Sequence, residues 1–317
     1  MAKIIYEFRE GIHMGPKVSI VFSTYNNSEC IEKCLESCLK QSYENVDIII
    51  ADDGSTDDTT LRIHRLALHA QKRIRVLHLP HGERGIARVT AIQEAVQEGA
   101  EYLLIIDSDM ILEEGMIDHL MEAVKNTEVG AYVIPEEAFT NYRNFFSKVK
   151  VFERNIINNA GEDVGKRSIE AARFWKMSAY LSTGGFNAGQ ISFEEIQPTL
   201  RYLEQGGKIK RAVCTRLYHD EKKVLLRELL AKKAYYFTAM DRTLSSESGG
   251  FWKALERWYF FRPVLYRKDN IKRYVRHPLL FCGMMFMYGC LSLLGVYGII
   301  KGRITRSTRF VQTEKIK

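Results

Sequence analysis

The chain has 317 residues, of which 46% are hydrophobic and 27% charged, and this composition predicts a folded globular protein rather than a disordered one. Its net charge of +7 is unevenly distributed, because residues 251–317 contain fourteen Lys and Arg against three acidic residues, which leaves −4 for the first 250. This distribution argues against a nucleic-acid partner for the larger part of the chain and indicates contact between its C-terminal part and anionic lipid.

The N-terminal residues and the cysteines predict an intracellular environment. No apolar run of the length of a secretory signal occurs near Met1, so we expect the main domain on the cytoplasmic side of a membrane. Cys30, Cys34 and Cys38 recur every fourth residue, which is typical of the core-facing stripe of a helix. A metal or cluster site is the alternative, but no fourth ligand is suitably spaced. No disulfide framework is indicated.

Short apolar runs alternate with helical patterns through the first hundred residues. Strands are predicted at 17–22, 46–51, 75–79 and 103–106, and helices at 28–41, 59–70 and 86–98. This alternation predicts an α/β fold with a mostly parallel central sheet and right-handed crossovers.

Polar residues follow three of these strands. They are Ser23, Thr24 and Tyr25 after the first strand, Asp53 after the second, and Asp107 and Asp109 after the fourth. Carboxyl ends of parallel strands meet at one edge of a sheet, where an Asp-x-Asp pair can hold a hard divalent cation opposite a diphosphate. The alternative is that these aspartates only cap turns.

Four motifs in this order resemble glycosyltransferase family 2, whose members have the GT-A fold. They are VSIVFSTYN at 18–26, ADDGSTD at 51–57, GIAR at 85–88 and IDSD at 106–109. The resemblance continues with GGFN at 184–187, a pair of glutamates at 194–195 and His219, so it covers roughly residues 17–219. It implies an enzyme that moves a sugar from a nucleotide-diphosphate sugar, with inversion.

The resemblance also implies roles for individual residues. The nucleotide-binding residues it implies are Ser23, Thr24, Tyr25, Asp53, Arg88 and Asp107. The metal-binding residues for Mg²⁺ or Mn²⁺ are Asp107, Asp109 and His219, with Asp109 as the direct ligand. The acceptor-side residues are Gly184, Gly185, Phe186 and Arg201.

The catalytic base is expected in the glutamate pair. Glu195 matches the position of the base, but the family usually has Glu-Asp where this chain has Glu-Glu, so Glu194 stays an alternative. Pro198 predicts a helix that begins near Gln197, which places the base on a loop. If the acceptor is a lipid phosphate, no base is needed and Glu195 only orients it.

The C-terminal part predicts membrane association. Pro278 to Ile300 contains no charged residue or His, and as a helix it would be ~34 Å long, enough to cross a bilayer. An embedded or interfacial segment is the alternative, and basic residues on both sides leave the orientation open. We expect a GT-A catalytic domain at 1–220, amphipathic interface helices at 221–277, the apolar helix at 278–300 and a basic tail at 301–317.

The preferred function is metal-dependent transfer from a nucleotide sugar, with a UDP-sugar favoured, to a membrane lipid-linked acceptor. One alternative is a polyprenyl-phosphate glycosyl synthase of the dolichol-phosphate-sugar type. A nucleotidyltransferase would need a glycine-rich loop that residues 23–27 lack, and a non-catalytic membrane scaffold is the remaining alternative. The absence of a Gln-x-x-Arg-Trp pattern argues against a processive polysaccharide synthase.

Overall fold

The structure is a computed structural model that describes residues 2–6, 15–82, 84–158, 170–186, 196–238 and 259–314. The chain divides into two compact units, the first comprising Met1–Phe139 with Ala160–Asp220 and the second Thr140–Asn159 with Glu221–Lys317. The first unit ends at Asp220. Residues 140–159, by contrast, group with the C-terminal part of the chain.

The first unit is built on an eight-stranded sheet of order β1-β4-β3-β2-β5-β9-β7-β10 and a three-stranded sheet of order β6-β11-β8. The strands are β1 (Ala2–Tyr6), β2 (Val18–Thr24), β3 (Val46–Asp52), β4 (Arg73–His78), β5 (Tyr102–Ile105), β6 (Met110–Leu112), β7 (Val129–Val133), β8 (Glu136–Phe139), β9 (Arg173–Lys176), β10 (Lys208–Arg211) and β11 (Leu217–Asp220). Strands β2 to β5 pair in parallel, which confirms the predicted parallel sheet. The antiparallel strands β1 and β9 were not predicted.

The helices of this unit follow the predicted alternation with strands. They are α1 (Ile31–Leu39), α2 (Thr59–Ala67), α3 (Arg84–Gln97), α4 (Met116–Val124), α6 (Met177–Ser182) and α7 (Ile196–Glu204). Cys30, Cys34 and Cys38 are at most 3% exposed, so the cysteine stripe packs in the core as predicted.

Strand β3 shows why the apolar runs form the centre of the sheet. All seven of its residues are buried. Ile48 and Ile50 enter the core on one face, whereas Ile49 and Ala51 enter the core on the other. A strand covered on both faces has no polar side, and this is why its middle residues 48–51 are continuously apolar. Its polar residues, Asp47 and Asp52, lie near the two ends of the strand.

The second unit consists of α5 (Phe145–Ile157), α8 (Leu226–Thr238), α9 (Lys268–Arg276) and α10 (Pro278–Glu314), with two short 3₁₀ turns before α9. Its core contains Val149, Phe152 and Ile156 of α5 and Met284, Met287 and Leu291 of α10. Among the described residues, the Pro278–Gly298 part of α10 is the one helix long and apolar enough to cross a membrane. The aromatic and basic stretch at 251–258 lies outside the described residues.

Candidate active site

The Asp-x-Asp turn follows β5 and is held by a side chain from the loop after β2. The Asn27 amide donates hydrogen bonds to the Ser108 carbonyl at 2.9 Å and to the Ser108 hydroxyl at 2.8 Å. Because Ser108 lies between Asp107 and Asp109, these two bonds hold the turn that carries both carboxylates. Asn27 was not predicted as a site residue, although it directly follows the motif that supplies Ser23 to Tyr25.

Arg88 links the Asp-x-Asp turn to the acceptor-side loop. Its side chain is 1% exposed and donates to Asp107 Oδ1. Its guanidinium carbon lies 5.7 Å from the centre of the Phe186 ring, within the range of a cation–π contact. A buried cation at this position adds positive charge beside the turn where a diphosphate is expected.

His219 and Asp109 face each other. Strand β11 pairs with β6 and β8, which brings His219 Nε2 to 3.6 Å from Asp109 Oδ1. On the other side of the ring, Nδ1 lies 3.4 Å from Oε2 of the buried Glu136. The other oxygen of Glu136, Oε1, accepts the amide hydrogens of Ala171 and Ala172.

This arrangement suits a divalent cation. A proton on Nδ1 shared with Glu136 leaves the Nε2 lone pair directed at the Asp109 side, the usual pattern of a metal-binding histidine and its supporting carboxylate. Neighbouring ligands of an octahedral Mg²⁺ lie ~3 Å apart, close to the observed 3.6 Å. Within the described residues, no group of three His, Cys, Asp or Glu side chains is placed to hold a metal ion on its own.

A second group of side chains surrounds Asp53. Its Oδ1 accepts the Gly82 amide hydrogen at 3.0 Å, and its Oδ2 lies 3.1 Å from His81 Nδ1. The Tyr25 ring stacks on His81 with centres 4.0 Å apart, and Tyr25 is 44% exposed. A flat base can stack on such rings while the carboxylate accepts its N–H group. His81 was missed because its only sequence signal is a position just past β4.

The neighbouring residue, Asp52, has a structural role. Asp52 accepts the Ser55 amide hydrogen and the Thr60 hydroxyl hydrogen, both at 3.1 Å, so it shapes the turn before α2. The amide of Asp53 donates to the Thr24 carbonyl at 2.9 Å, which joins the loops after β2 and β3. Ser23 lies beside Ala51 in the same strand pair. Asp52 therefore stabilises the turn, whereas Asp53 contacts His81.

The predicted acceptor-side loop, residues 184–186, is held by two hydrogen bonds. Gly184 and Gly185 have φ of +75° and +70°, a region that favours glycine. Arg201 donates to the Gly185 carbonyl, and the Phe186 amide donates to the Tyr180 hydroxyl at 3.1 Å. Burial raises the pKa of Tyr180 to about 12, so the hydroxyl stays neutral at physiological pH.

The predicted base, Glu195 with Glu194 as the alternative, falls outside the described residues. Helix α7 begins at Ile196, within one residue of the start that Pro198 predicted. The role of the two glutamates stays a prediction.

Comparison with known proteins supports the resemblance found in the motifs. The family model described as "Glycosyl transferase family 2" matches residues 19–181, about half of the chain. Glycosyltransferase GlyG of Streptococcus pneumoniae is 35% identical over 133 residues, which cover 41% of this chain and 43% of GlyG. Chondroitin synthase of Escherichia coli is 28% identical over 240 residues, or 73% of this chain and 33% of the synthase. The chain therefore spans less than half the length of these relatives.

Solved structures show the same fold at lower identity. Mannosyltransferase PcManGT from Pyrobaculum calidifontis, in complex with GDP-Man and Mn²⁺, superposes with a TM-score of 0.57 and 14% identity, covering 92% of this chain and 90% of that one. Residues 1–349 of TarS from Staphylococcus aureus, in complex with UDP-GlcNAc, give 0.52 and 16%, covering 80% and 74%. The fold is therefore GT-A, with a mostly parallel central sheet, and the chain belongs to glycosyl transferase family 2.

Proposed function

We propose that the protein is an inverting, metal-dependent glycosyltransferase that moves a sugar from a nucleotide-diphosphate sugar, preferably a UDP-sugar, to a lipid-linked acceptor at the cytoplasmic face of a membrane. The observation that carries this proposal is that His219 lies between the carboxylates of Glu136 and Asp109, next to the Arg88–Asp107 ion pair. Asp109 and His219 are side chains of the kinds that bind divalent cations, and Arg88 is a buried cation close to them. This combination is better explained by binding of a diphosphate leaving group than by a purely structural role. The apolar helix in the second unit supports the membrane acceptor.

Different residues of the site would bind the base, bind the cation and accept the proton of the acceptor. Tyr25, His81 and Asp53 would hold the base, and Asp109 and His219 would hold Mg²⁺ or Mn²⁺. The bound cation supplies electrostatic stabilisation of the charge that develops on the leaving diphosphate. Arg88 adds a fixed positive charge at the same turn, and Glu136 keeps the His219 ring oriented. Glu195 would accept the proton of the attacking acceptor hydroxyl.

Donor binding tests the proposal directly. The full chain is heated with UDP-, GDP- and other nucleotide sugars, with and without Mn²⁺, and its melting temperature is compared across the set. We expect stabilisation by one donor class that depends on the cation, together with slow cation-dependent hydrolysis of that donor. A chain that binds no nucleotide sugar under any of these conditions would be the membrane scaffold instead.

The glutamate pair distinguishes two acceptor chemistries. A Glu195→Gln variant is expected to lose about 10²–10⁴-fold in kcat with donor binding unchanged, because a general base contributes about that much. Its neighbour provides the control, since Glu194→Gln should keep activity within a few fold. If both variants keep full activity, the attacking group is already anionic, and a polyprenyl phosphate becomes the favoured acceptor.

Replacing Glu136 is expected to weaken cation binding without removing a ligand. Glu136→Gln should reduce the affinity for Mn²⁺, measured by calorimetry in the presence of UDP, by about 10–100-fold. Glu137→Gln is the matched control, because Glu137 is 54% exposed and pairs with Arg216 instead. Equal Mn²⁺ affinity in the two variants would show that Glu136 has no part in the site.

A further inference from the structure

We propose that the second unit binds an anionic phospholipid surface with α9 and the apolar part of α10 lying in the plane of the interface, so that α10 does not cross the bilayer. This rests on the membrane association in the proposed function and specifies its form. Three observations support it: the two faces of α10, the charged group against its middle, and the exposed face of α9.

Helix α10 presents two different faces. Its protein-facing side carries Met284, Met287, Tyr288 and Leu291, each at most 2% exposed and spaced by three or four residues. Its outer side carries Leu279, Phe286 and Leu293, which are 77%, 59% and 74% exposed and are spaced by seven. A repeat of seven keeps these three side chains along one stripe of the helix. The stripe is entirely apolar, and an exposed apolar surface of this kind indicates contact with a partner or with lipid.

The buried face of α10 contacts an ionised group. The Tyr288 hydroxyl donates to Glu153 Oε1 at 2.9 Å, and Glu153 Oε2 lies 2.5 Å from Lys150 Nζ. Arg262 is 3.9 Å from the same carboxylate. Tyr288 lies at the middle of the apolar segment Pro278–Gly298. If that segment crossed a bilayer, the Glu153 group would lie near the centre of the hydrocarbon, where charged side chains are costly.

Helix α9 offers a face that fits lipid headgroups. Ile271 and Val275 are 49% and 76% exposed. Lys268, Lys272 and Arg276 lie on the same face, because the five positions follow the spacing i, i+3, i+4, i+7, i+8. Among the residues that the structure describes, no ion pair involves any of these three cations. Apolar side chains flanked by cations on one helix face are typical of helices that lie in the interface of anionic membranes.

The orientation can be measured by the depth of spin labels in vesicles. In a full-length Cys214→Ser, Cys282→Ser, Cys290→Ser background, labels are attached at L279C, F286C and L293C, and collisions with oxygen and a polar nickel complex report their depths. We expect equal, shallow depths at the three positions. Consecutive positions are ~10 Å apart along a helix, so a crossing helix would place 286 deepest and both others much shallower, which would overturn the proposal.

Lipid selectivity is tested by sedimentation with vesicles of phosphatidylcholine alone or with phosphatidylglycerol. Binding should require phosphatidylglycerol, weaken with salt, be lost in alkaline carbonate, and fall about tenfold or more in K272E/R276E. Controls are K210E and L68E in the first unit, of which Leu68 is 71% exposed. Equal binding to vesicles with and without phosphatidylglycerol, or protein that stays on the vesicles in carbonate, contradicts the proposal.

Nucleotide-sugar binding by the same variants, measured without vesicles, is expected to be unchanged. A loss of membrane binding can therefore be distinguished from a failure of the proposed function.

Discussion

An Asp109→Ala variant is expected to lose about 10³-fold or more in kcat/KM and to lose its dependence on Mn²⁺. The reason is that Asp109 Oδ1 lies 3.6 Å from His219 Nε2, on the side of the ring away from Glu136, where the two side chains can hold a cation together. Without it, His219 alone cannot hold a cation against a departing diphosphate. The measurement is the rate of nucleotide-sugar hydrolysis and of transfer across a series of Mn²⁺ concentrations.

A matched control separates this loss from a general effect of removing an aspartate. Asp58 is exposed and its side chain makes no capping hydrogen bond at the start of α2, so Asp58→Ala should behave as the wild type. The folded state of both variants is checked by circular dichroism and melting temperature. Normal turnover with unchanged ion dependence in Asp109→Ala would remove the basis of the proposed mechanism, whatever the other variants show.

A Glu153→Gln variant is expected to lower the free energy of unfolding of the second unit by about 3 kcal/mol at pH 7. Glu153 is buried beside Lys150 and Arg262, and the substitution removes the negative charge that these cations face. Urea unfolding followed by circular dichroism measures the change. Glu122→Gln is the control, because Glu122 is 72% exposed and its pair with Lys125 should contribute almost nothing.

The same carboxylate predicts a dependence on pH. Burial alone raises the pKa of Glu153, but attraction to Lys150 and Arg262, with hydrogen bonds from Lys150 and Tyr288, outweighs burial and lowers the pKa from 4.5 to about 2. A lowered pKa stabilises the folded state above the unfolded value, and this stabilisation is lost as the pH falls from 4.5 towards 2. The wild type should therefore lose stability over this range more steeply than Glu153→Gln. Parallel curves for the two proteins would show that the charge of Glu153 does not stabilise the fold.

The apolar runs predicted the parallel strands of the central sheet correctly. The middle of strand β3, residues 48–51, is apolar because both faces of the strand are covered, and the cysteine stripe of α1 follows the helical period because one face of the helix is buried. Such patterns are local, since burial of one strand or one helix face determines which residue types occur at neighbouring positions. The amino-acid sequence by itself is therefore enough to recognise them.

The supporting residues of the site could not be found in this way. Glu136 and His219 are 83 residues apart and meet because β11 pairs with β8, while Asn27 reaches Ser108 across 81 residues. The grouping of 140–159 with the C-terminal part, and the two faces of α10, depend likewise on packing between distant segments. A single Glu or Asn leaves no periodic signal, because its role comes from its partner and not from its neighbours in the chain.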